Sequence, residues 1–256
     1  MDPQFRCHQN YNRCNHYNIF LHTLSIKKKE LNRTYITRES KELFKVGGWT
    51  GVDSLVRNVF YFFILQALNF LGPNQFAGFQ LFQKIMWTVL IPVIAISQGT
   101  SIRIGNYLCE QEPSEKILGL LKTSAGLGFL IVGTFGILGI FFIDLFGYIF
   151  TANPDVVYYS NLMFAWQIIP YILFAVAMNI RGLFFGTGKT YNILIISLLL
   201  NIAIILPFVL SINLFPAFQN FLGIMLMYVF VDIVDLLITI ILALALSMRI
   251  FKIKAH

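Results

Sequence analysis

Residues 190–231 read TYNILIISLLLNIAIILPFVLSINLFPAFQNFLGIMLMYVFV and carry no charged side chain. A membrane-spanning helix needs about 20 consecutive, mostly apolar residues, so this stretch is too long for a single crossing. It is interrupted by a cluster of polar and helix-breaking residues, Asn213, Pro216, Gln219 and Asn220. The stretch therefore predicts two membrane helices joined by a turn.

Four more apolar runs of similar length precede this stretch, and its last run continues to residue 248. The six predicted helices span 48–71, 76–101, 120–143, 156–180, 191–212 and 221–248. A β-barrel is disfavoured, because barrel strands alternate in hydropathy at every second residue instead of being continuously apolar. We therefore predict an all-α polytopic membrane protein with six transmembrane helices, integral to the cell membrane.

The composition supports the same class of protein. Hydrophobic residues make up 57% of the 256 residues and charged residues only 12%, about half the charged share usual in soluble domains. Disorder is excluded because disordered chains are polar and rich in charge. The formal net charge of +7 comes from charges that are too few and too scattered for a nucleic-acid-binding surface, and we predict no nucleic-acid partner.

Lysine and arginine are divided unequally between the two sides of the predicted bundle. The three outer connections, 72–75, 144–155 and 213–220, contain neither residue. The inner segments contain fifteen: seven in 27–45, three in 102–122, two in 181–190 and three after 248. Positive charge accumulates in cytoplasmic loops, so both termini are predicted to lie in the cytoplasm, which requires an even number of helices.

The chain divides into four predicted segments by composition. These are a poorly ordered tail at 1–26, with a non-native origin as an open alternative, a basic cytoplasmic linker at 27–46, a six-helix transmembrane lobe at 47–250, and a cytoplasmic tail at 251–256.

Motifs for metals, cofactors and enzymatic chemistry are absent from the sequence. The tail residues Cys7, His8, Cys14, His16 and His22 match no common zinc spacing. The run GTGKT at 186–190 lacks the first glycine of a phosphate loop and follows no predicted strand. We predict no metal, no organic cofactor and no enzymatic activity, and read 186–190 as a cytoplasmic turn.

Charged residues inside the spans are the strongest functional signals, because they are costly in lipid and usually face a bundle interior or a cavity. Asp53 and Arg57 are four residues apart on one helix and can pair. Their alternative role is an anchor at the cytoplasmic interface. Lys84, Asp232 and Asp235 lie at similar predicted depths and are expected to form one buried network. Two neighbouring carboxylates beside one lysine suit coupling to sodium or protons; the alternative is a fixed salt bridge.

Polar and proline residues complete the set of candidates. Four polar side chains are predicted to line a cleft: Asn58, Gln83, Gln167 and Asn179. Three prolines inside apolar runs are predicted to kink their helices: Pro92, Pro170 and Pro207. Such kinks occur near transporter binding sites, although static packing kinks are an equal alternative.

Three segments carry a resemblance to a known family: GVDSLVRN at 51–58, GTSIRIGNYLCEQEPSEK at 99–116 and RGLFFGTGKT at 181–190. In order and spacing they resemble the multidrug and toxic compound extrusion (MATE) family of transporters, over about 41–250. The resemblance implies twelve helices in two six-helix lobes with a substrate cleft between them. The chain resembles the second, C-terminal lobe, because a basic linker precedes its first helix. Asp53 is the nearest match to an acidic residue of that helix in the family.

The resemblance implies export of organic cations or drugs by sodium- or proton-coupled antiport with alternating access. One lobe offers half a cleft, so a second six-helix lobe is expected as partner, either in a homodimer or as a missing first half. Asp53, Arg57, Lys84, Asp232 and Asp235 carry two positive and three negative charges, a sum of −1 that favours cations. A lipid-linked saccharide flippase of the same superfamily, and a non-transporting fragment or assembly partner, remain alternatives.

Overall fold

The computed structural model describes residues 33–110, 113–214 and 220–254. The tail at 1–26, with its cysteines and histidines, lies outside these ranges, as do Pro216 and Gln219 of the predicted outer turn. Within the described residues every regular element is helical, in the order α1 Arg33–Leu71, α2 Pro73–Cys109, α3 Ser114–Phe150, α4 Pro154–Gly186, α5 Tyr191–Leu200, a π-helical turn Asn201–Ile205, α6 Leu206–Leu214 and α7 Phe221–Lys254.

Six segments are long and apolar enough to cross a membrane. They are Gly47–Leu71, Pro73–Cys109, Glu115–Phe142, Pro154–Gly186, Tyr191–Ser211 and Phe221–Met248. The fifth combines α5, the π-helical turn and α6. The predicted all-α, six-helix membrane architecture is confirmed.

The predicted helix ends are wrong at the bundle surfaces, where the helices continue beyond their apolar runs. The outer connection predicted at 144–155 shrinks to the few residues between Phe150 and Pro154, and α4 continues past residue 180 through Arg181 to Gly186. A charged side chain ends an apolar run in the sequence, but it does not end a helix: arginine is a good helix former, and Asp144, although a weaker one, lies within α3.

Glycine, proline and asparagine set the outer turns. Gly72 has φ 130°, a conformation that favours glycine, and Pro73 begins α2 directly after it. Asn153 caps α4 by accepting a hydrogen bond from the Asp155 backbone N–H, and Pro154 is the first helical residue. These local signals produce short turns, and the helices that they join, α1 with α2 and α3 with α4, are in contact.

Helix α4 is the centre of the lobe: it packs on α2, α3 and α7, while α1 packs mainly on α5, α6 and α2. Glycines bring α4 close to α2. A Cβ added at Gly182 would lie 3.0 Å from the Ser97 carbonyl oxygen, and one added at Gly186 would lie 2.6 Å from the Ser101 carbonyl oxygen. Small residues permit such backbone approach in membrane bundles, and here they set the position of α4, which carries Arg181.

The three prolines lie inside or beside continuous helix. Pro92 is within α2 and Pro170 within α4. Pro207 is the second residue of α6, directly after the π-helical turn, in which the Leu206 N–H donates to the Asn201 carbonyl five residues earlier. Proline has no N–H to donate, so the regular hydrogen-bond pattern is interrupted at Pro207. Single π-helical turns occur inside α-helices, and this one directly precedes the proline. The predicted kink angles stay a prediction.

Candidate functional site

The predicted pair on α1 is confirmed. Arg57 Nε donates a hydrogen bond to Asp53 Oδ2 at 3.0 Å, four residues along the same helix. Asp53 is buried, whereas the Arg57 side chain is 37% exposed. The second carboxylate oxygen, Asp53 Oδ1, is buried and has no hydrogen-bond partner among the described residues.

A second ion pair joins α4 to α7. Arg181 Nη2 donates to Asp235 Oδ1, and both side chains are almost completely buried, at 6% and 3% exposure. The Arg181 guanidinium also lies 5.8 Å from the centre of the Phe174 ring, a cation–π distance. Arg181 Nε is buried and has no hydrogen-bond partner in the described part of the chain.

Arg181 is the buried charged residue that sequence reasoning missed. It was assigned to a cytoplasmic loop because it ends an apolar run, but it lies inside the lobe. The glycines at 182 and 186, four residues apart, are the signal that could have found it. Small residues at that spacing indicate a helix that continues against another backbone.

Asp232 differs from the other two buried acids because it lacks a cation of its own. It is 9% exposed on α7 and has no hydrogen bond or ion pair with any described residue. Asp235 and Arg181 are its electrostatic neighbours. The buried Tyr171 and the partly buried Tyr228 also lie within electrostatic range of Asp232.

The prediction that Lys84 joins Asp232 and Asp235 in one buried network is wrong. Lys84 is exposed on α2 and makes no ion pair with either carboxylate. Similar depth did not bring the groups together, because successive residues of a helix point about 100° apart. Gln83, the preceding residue, faces the lobe interior instead, and Arg181 supplies the cation that was assigned to Lys84.

Three of the four predicted cleft residues are buried inside the lobe. Gln83 Oε1 accepts a hydrogen bond from the Tyr171 hydroxyl at 2.7 Å, and Gln167 Nε2 donates to the Met225 carbonyl at 2.8 Å. Asn179 Nδ2 donates to the Ala175 carbonyl of its own helix at 2.9 Å. Only Asn58 of this set is exposed; its Nδ2 donates to the Ser54 carbonyl.

Electrostatic interactions link the charged residues of α1, α4 and α7. Arg57 lies within electrostatic range of Asp53, Arg181 and Asp235, and Arg181 and Asp235 act on Asp232. Two positive and three negative groups give a formal sum of −1. Within the described residues no group of three His, Cys, Asp or Glu side chains is arranged to hold a metal ion.

Comparison with known proteins gives three findings. Residues 50–210 match the family model described as MatE. No curated protein sequence matches the chain. Solved structures match it in fold, at identities too low to show more than the fold.

Three of the solved structures illustrate the match. A crystal structure of MATE in the bent conformation has 16% identity and a TM-score of 0.75, covering 90% of this chain and 50% of that one. The Vibrio cholerae MATE transporter VcmN in the bent form has 19% identity and a TM-score of 0.70, covering 86% and 50%. A MOP superfamily transporter from Pyrococcus furiosus, described as having reverse polarity of its binding pocket, has 16% identity and a TM-score of 0.64, covering 82% and 44%. The chain thus spans about half the length of the structures it matches.

Proposed function

This chain belongs to the MATE family of membrane transporters, and on that premise we propose that it forms one six-helix lobe of a carrier. The carrier exports organic cations or drugs by sodium- or proton-coupled antiport with alternating access. The lobe resembles the second of the two lobes that such a transporter needs.

The observation that carries this proposal is the buried charge cluster with its unpaired carboxylate. Ionisable groups inside a membrane bundle are costly and mark ion or substrate pathways. A cluster that served only to hold helices together needs balanced pairs, and Asp53–Arg57 and Arg181–Asp235 are balanced. Asp232 adds one negative charge without a partner, so the cluster attracts a cation. We therefore propose that the coupling ion binds within this cluster, whose carboxylates are Asp53, Asp232 and Asp235.

The polarity of the cluster also favours a cation over an anionic lipid-linked saccharide. A flippase has to hold a pyrophosphate group and needs a positive cavity. The Pyrococcus furiosus transporter is described as having a binding pocket of reverse polarity and a different function, which makes pocket charge the discriminating property. The sum of −1 in this chain supports a cationic substrate.

The exposed polar face of α1 and α2 supports a second lobe as partner. Lys84, Thr88 and Gln98 are exposed along α2, and Asn58 is exposed on α1. The Gln80 side chain donates to the Tyr61 hydroxyl at 3.3 Å and joins the two helices along this face. A lysine facing lipid in the middle of a span costs several kcal/mol. We propose that this face meets a second six-helix lobe, either another copy of the chain or a separate first half.

Reconstitution into liposomes tests the proposal. The full chain is reconstituted at several protein densities, and efflux of a fluorescent organic cation is measured under a sodium or proton gradient. We expect gradient-driven efflux that Asp232→Asn abolishes. Asp155→Asn, which changes an exposed carboxylate at the outer end of α4, serves as the matched control and should retain efflux. Absence of gradient-driven efflux both from the chain alone at every density and from the chain reconstituted together with a first six-helix lobe contradicts the proposal; translocation of a lipid-linked saccharide without cation efflux favours the flippase.

A further inference from the structure

We propose that Arg181 is a positioning residue that divides the three buried carboxylates into two roles. Asp53 and Asp235 are neutralised by arginines, within α1 and between α4 and α7 respectively, whereas Asp232 alone binds the coupling cation. Asp235 lies three residues after Asp232 on α7. Arg181 acts through Asp235, because its positive charge cancels the negative charge of that carboxylate. This inference rests on the proposed function and assigns the residues of its ion site.

The ion pairs provide the first step. Arg57 bonds Asp53 on α1, and Arg181 bonds Asp235 across α4 and α7. Arginine stays charged at any physiological pH, and an unpaired charge in a membrane interior is costly. Asp53 and Asp235 are therefore needed as permanent counter-ions, which leaves neither free to exchange a cation during transport.

The surroundings of Asp232 provide the second step. Asp235 and Tyr228 of its own helix and Arg181 and Tyr171 of α4 lie within electrostatic range of it. None of these groups bonds the Asp232 carboxylate, and the Tyr171 hydroxyl is already committed to Gln83. Asp232 is consequently the buried carboxylate of this cluster that no arginine bonds, which leaves it open to an exchangeable cation.

The packing of α4 explains how Arg181 reaches α7. Gly182 allows the α2 backbone to approach α4 at Ser97, and the Ser97 hydroxyl donates to the Met178 carbonyl at 2.8 Å. These contacts on both sides of residue 181 along α4 fix the rotation of that helix. With α2 packed against Gly182, Arg181 pairs with Asp235 of α7.

The charge balance gives a quantitative expectation. The cluster sums to −1 in the native chain, to −2 in Arg181→Gln and to −1 again in Arg181→Gln/Asp235→Asn. An added negative charge a few ångströms from a partly buried site strengthens cation binding by about tenfold or more. The single variant should therefore lower the cation concentration at half-saturation, and the double variant should return it close to the native value.

The experiment measures cation binding by the purified full chain in lipid nanodiscs. Thermal stabilisation is titrated with sodium at fixed pH, and with protons in sodium-free buffer. We expect Asp232→Asn to abolish the cation-dependent stabilisation, Arg181→Gln to lower the half-saturating concentration about tenfold, and the double variant to restore it within about threefold. Arg181→Lys keeps the positive charge and should stay close to the native chain; it also covers the case in which Arg181→Gln does not fold.

Three results would overturn the inference. The first is cation-dependent stabilisation that survives Asp232→Asn. The second is an unchanged half-saturating concentration in Arg181→Gln with reduced thermal stability, which is the signature of a purely structural arginine. The third is a double variant that stays as far from native as Arg181→Gln, because Arg181 would then act on Asp232 directly. Native cation binding without any liposome efflux contradicts the proposed function instead, so the two failures are distinguishable.

Discussion

The close approach of α2 and α4 gives a graded prediction from three glycine-to-alanine substitutions. At Gly186 a new Cβ would lie 2.6 Å from the Ser101 carbonyl oxygen and 2.8 Å from the Ile104 Cβ. At Gly182 it would lie 3.0 Å from the Ser97 carbonyl oxygen. At Gly133 of α3 nothing lies within 4 Å, which makes Gly133→Ala the matched control.

The three substitutions should change the free energy of unfolding by different amounts, and not all in the same direction. Overpacking costs about 1–3 kcal/mol, and a backbone oxygen can retreat only if a whole helix moves. Alanine in place of an unconstrained helical glycine instead stabilises by about 0.5–1 kcal/mol. We therefore expect Gly186→Ala to lower the free energy of unfolding most, Gly182→Ala to lower it less, and Gly133→Ala to leave it equal or slightly higher.

Unfolding in mixed detergent micelles, followed by circular dichroism, measures these differences. Gly186→Ala and Gly182→Ala should also weaken the Arg181–Asp235 pair, because they push α4 away from its position. The reasoning is refuted if Gly186→Ala is as stable as Gly133→Ala, since the α2–α4 backbones would then have room that the structure does not have.

Three further predictions concern charge, exposure and topology. Arg181→Met alone should destabilise the chain by about 3–5 kcal/mol, because it leaves Asp235 as an uncompensated buried charge. Arg181→Met/Asp235→Leu removes both charges and should recover most of that loss. A double-mutant cycle in the same unfolding assay shows whether the two energies couple. Lys84→Met should change the unfolding free energy of the isolated chain by less than about 0.5 kcal/mol, and a loss of several kcal/mol would restore Lys84 to the buried network. A cysteine introduced at Gly188 should react only with a thiol reagent that reaches the cytoplasmic side, and labelling from outside would contradict the predicted orientation.

Local patterns were sufficient to predict the helices and the ion pair within α1. The apolar runs have the length of a bilayer crossing, and that length is a property of each segment alone. Asp53 and Arg57 are four residues apart, and in any helix this spacing brings two side chains together. The outer turns at Gly72 and Asn153 likewise follow from backbone preferences of single residues. None of these features depends on how the helices pack.

The tertiary structure decided which buried charges meet. Arg181 and Asp235 are 54 residues apart in the chain, and the spacing within either helix carries no information about a partner on another. Lys84 and Gln83 are neighbours at nearly equal depth, yet one is exposed and the other buried, because the rotation of α2 about its axis is set by its contacts with α4. The sequence alone therefore predicted the six membrane-spanning helices and most of the charges within them, but it placed Arg181 outside. Only packing determined how each helix is rotated, and with it that Asp232 is the buried carboxylate left without an arginine.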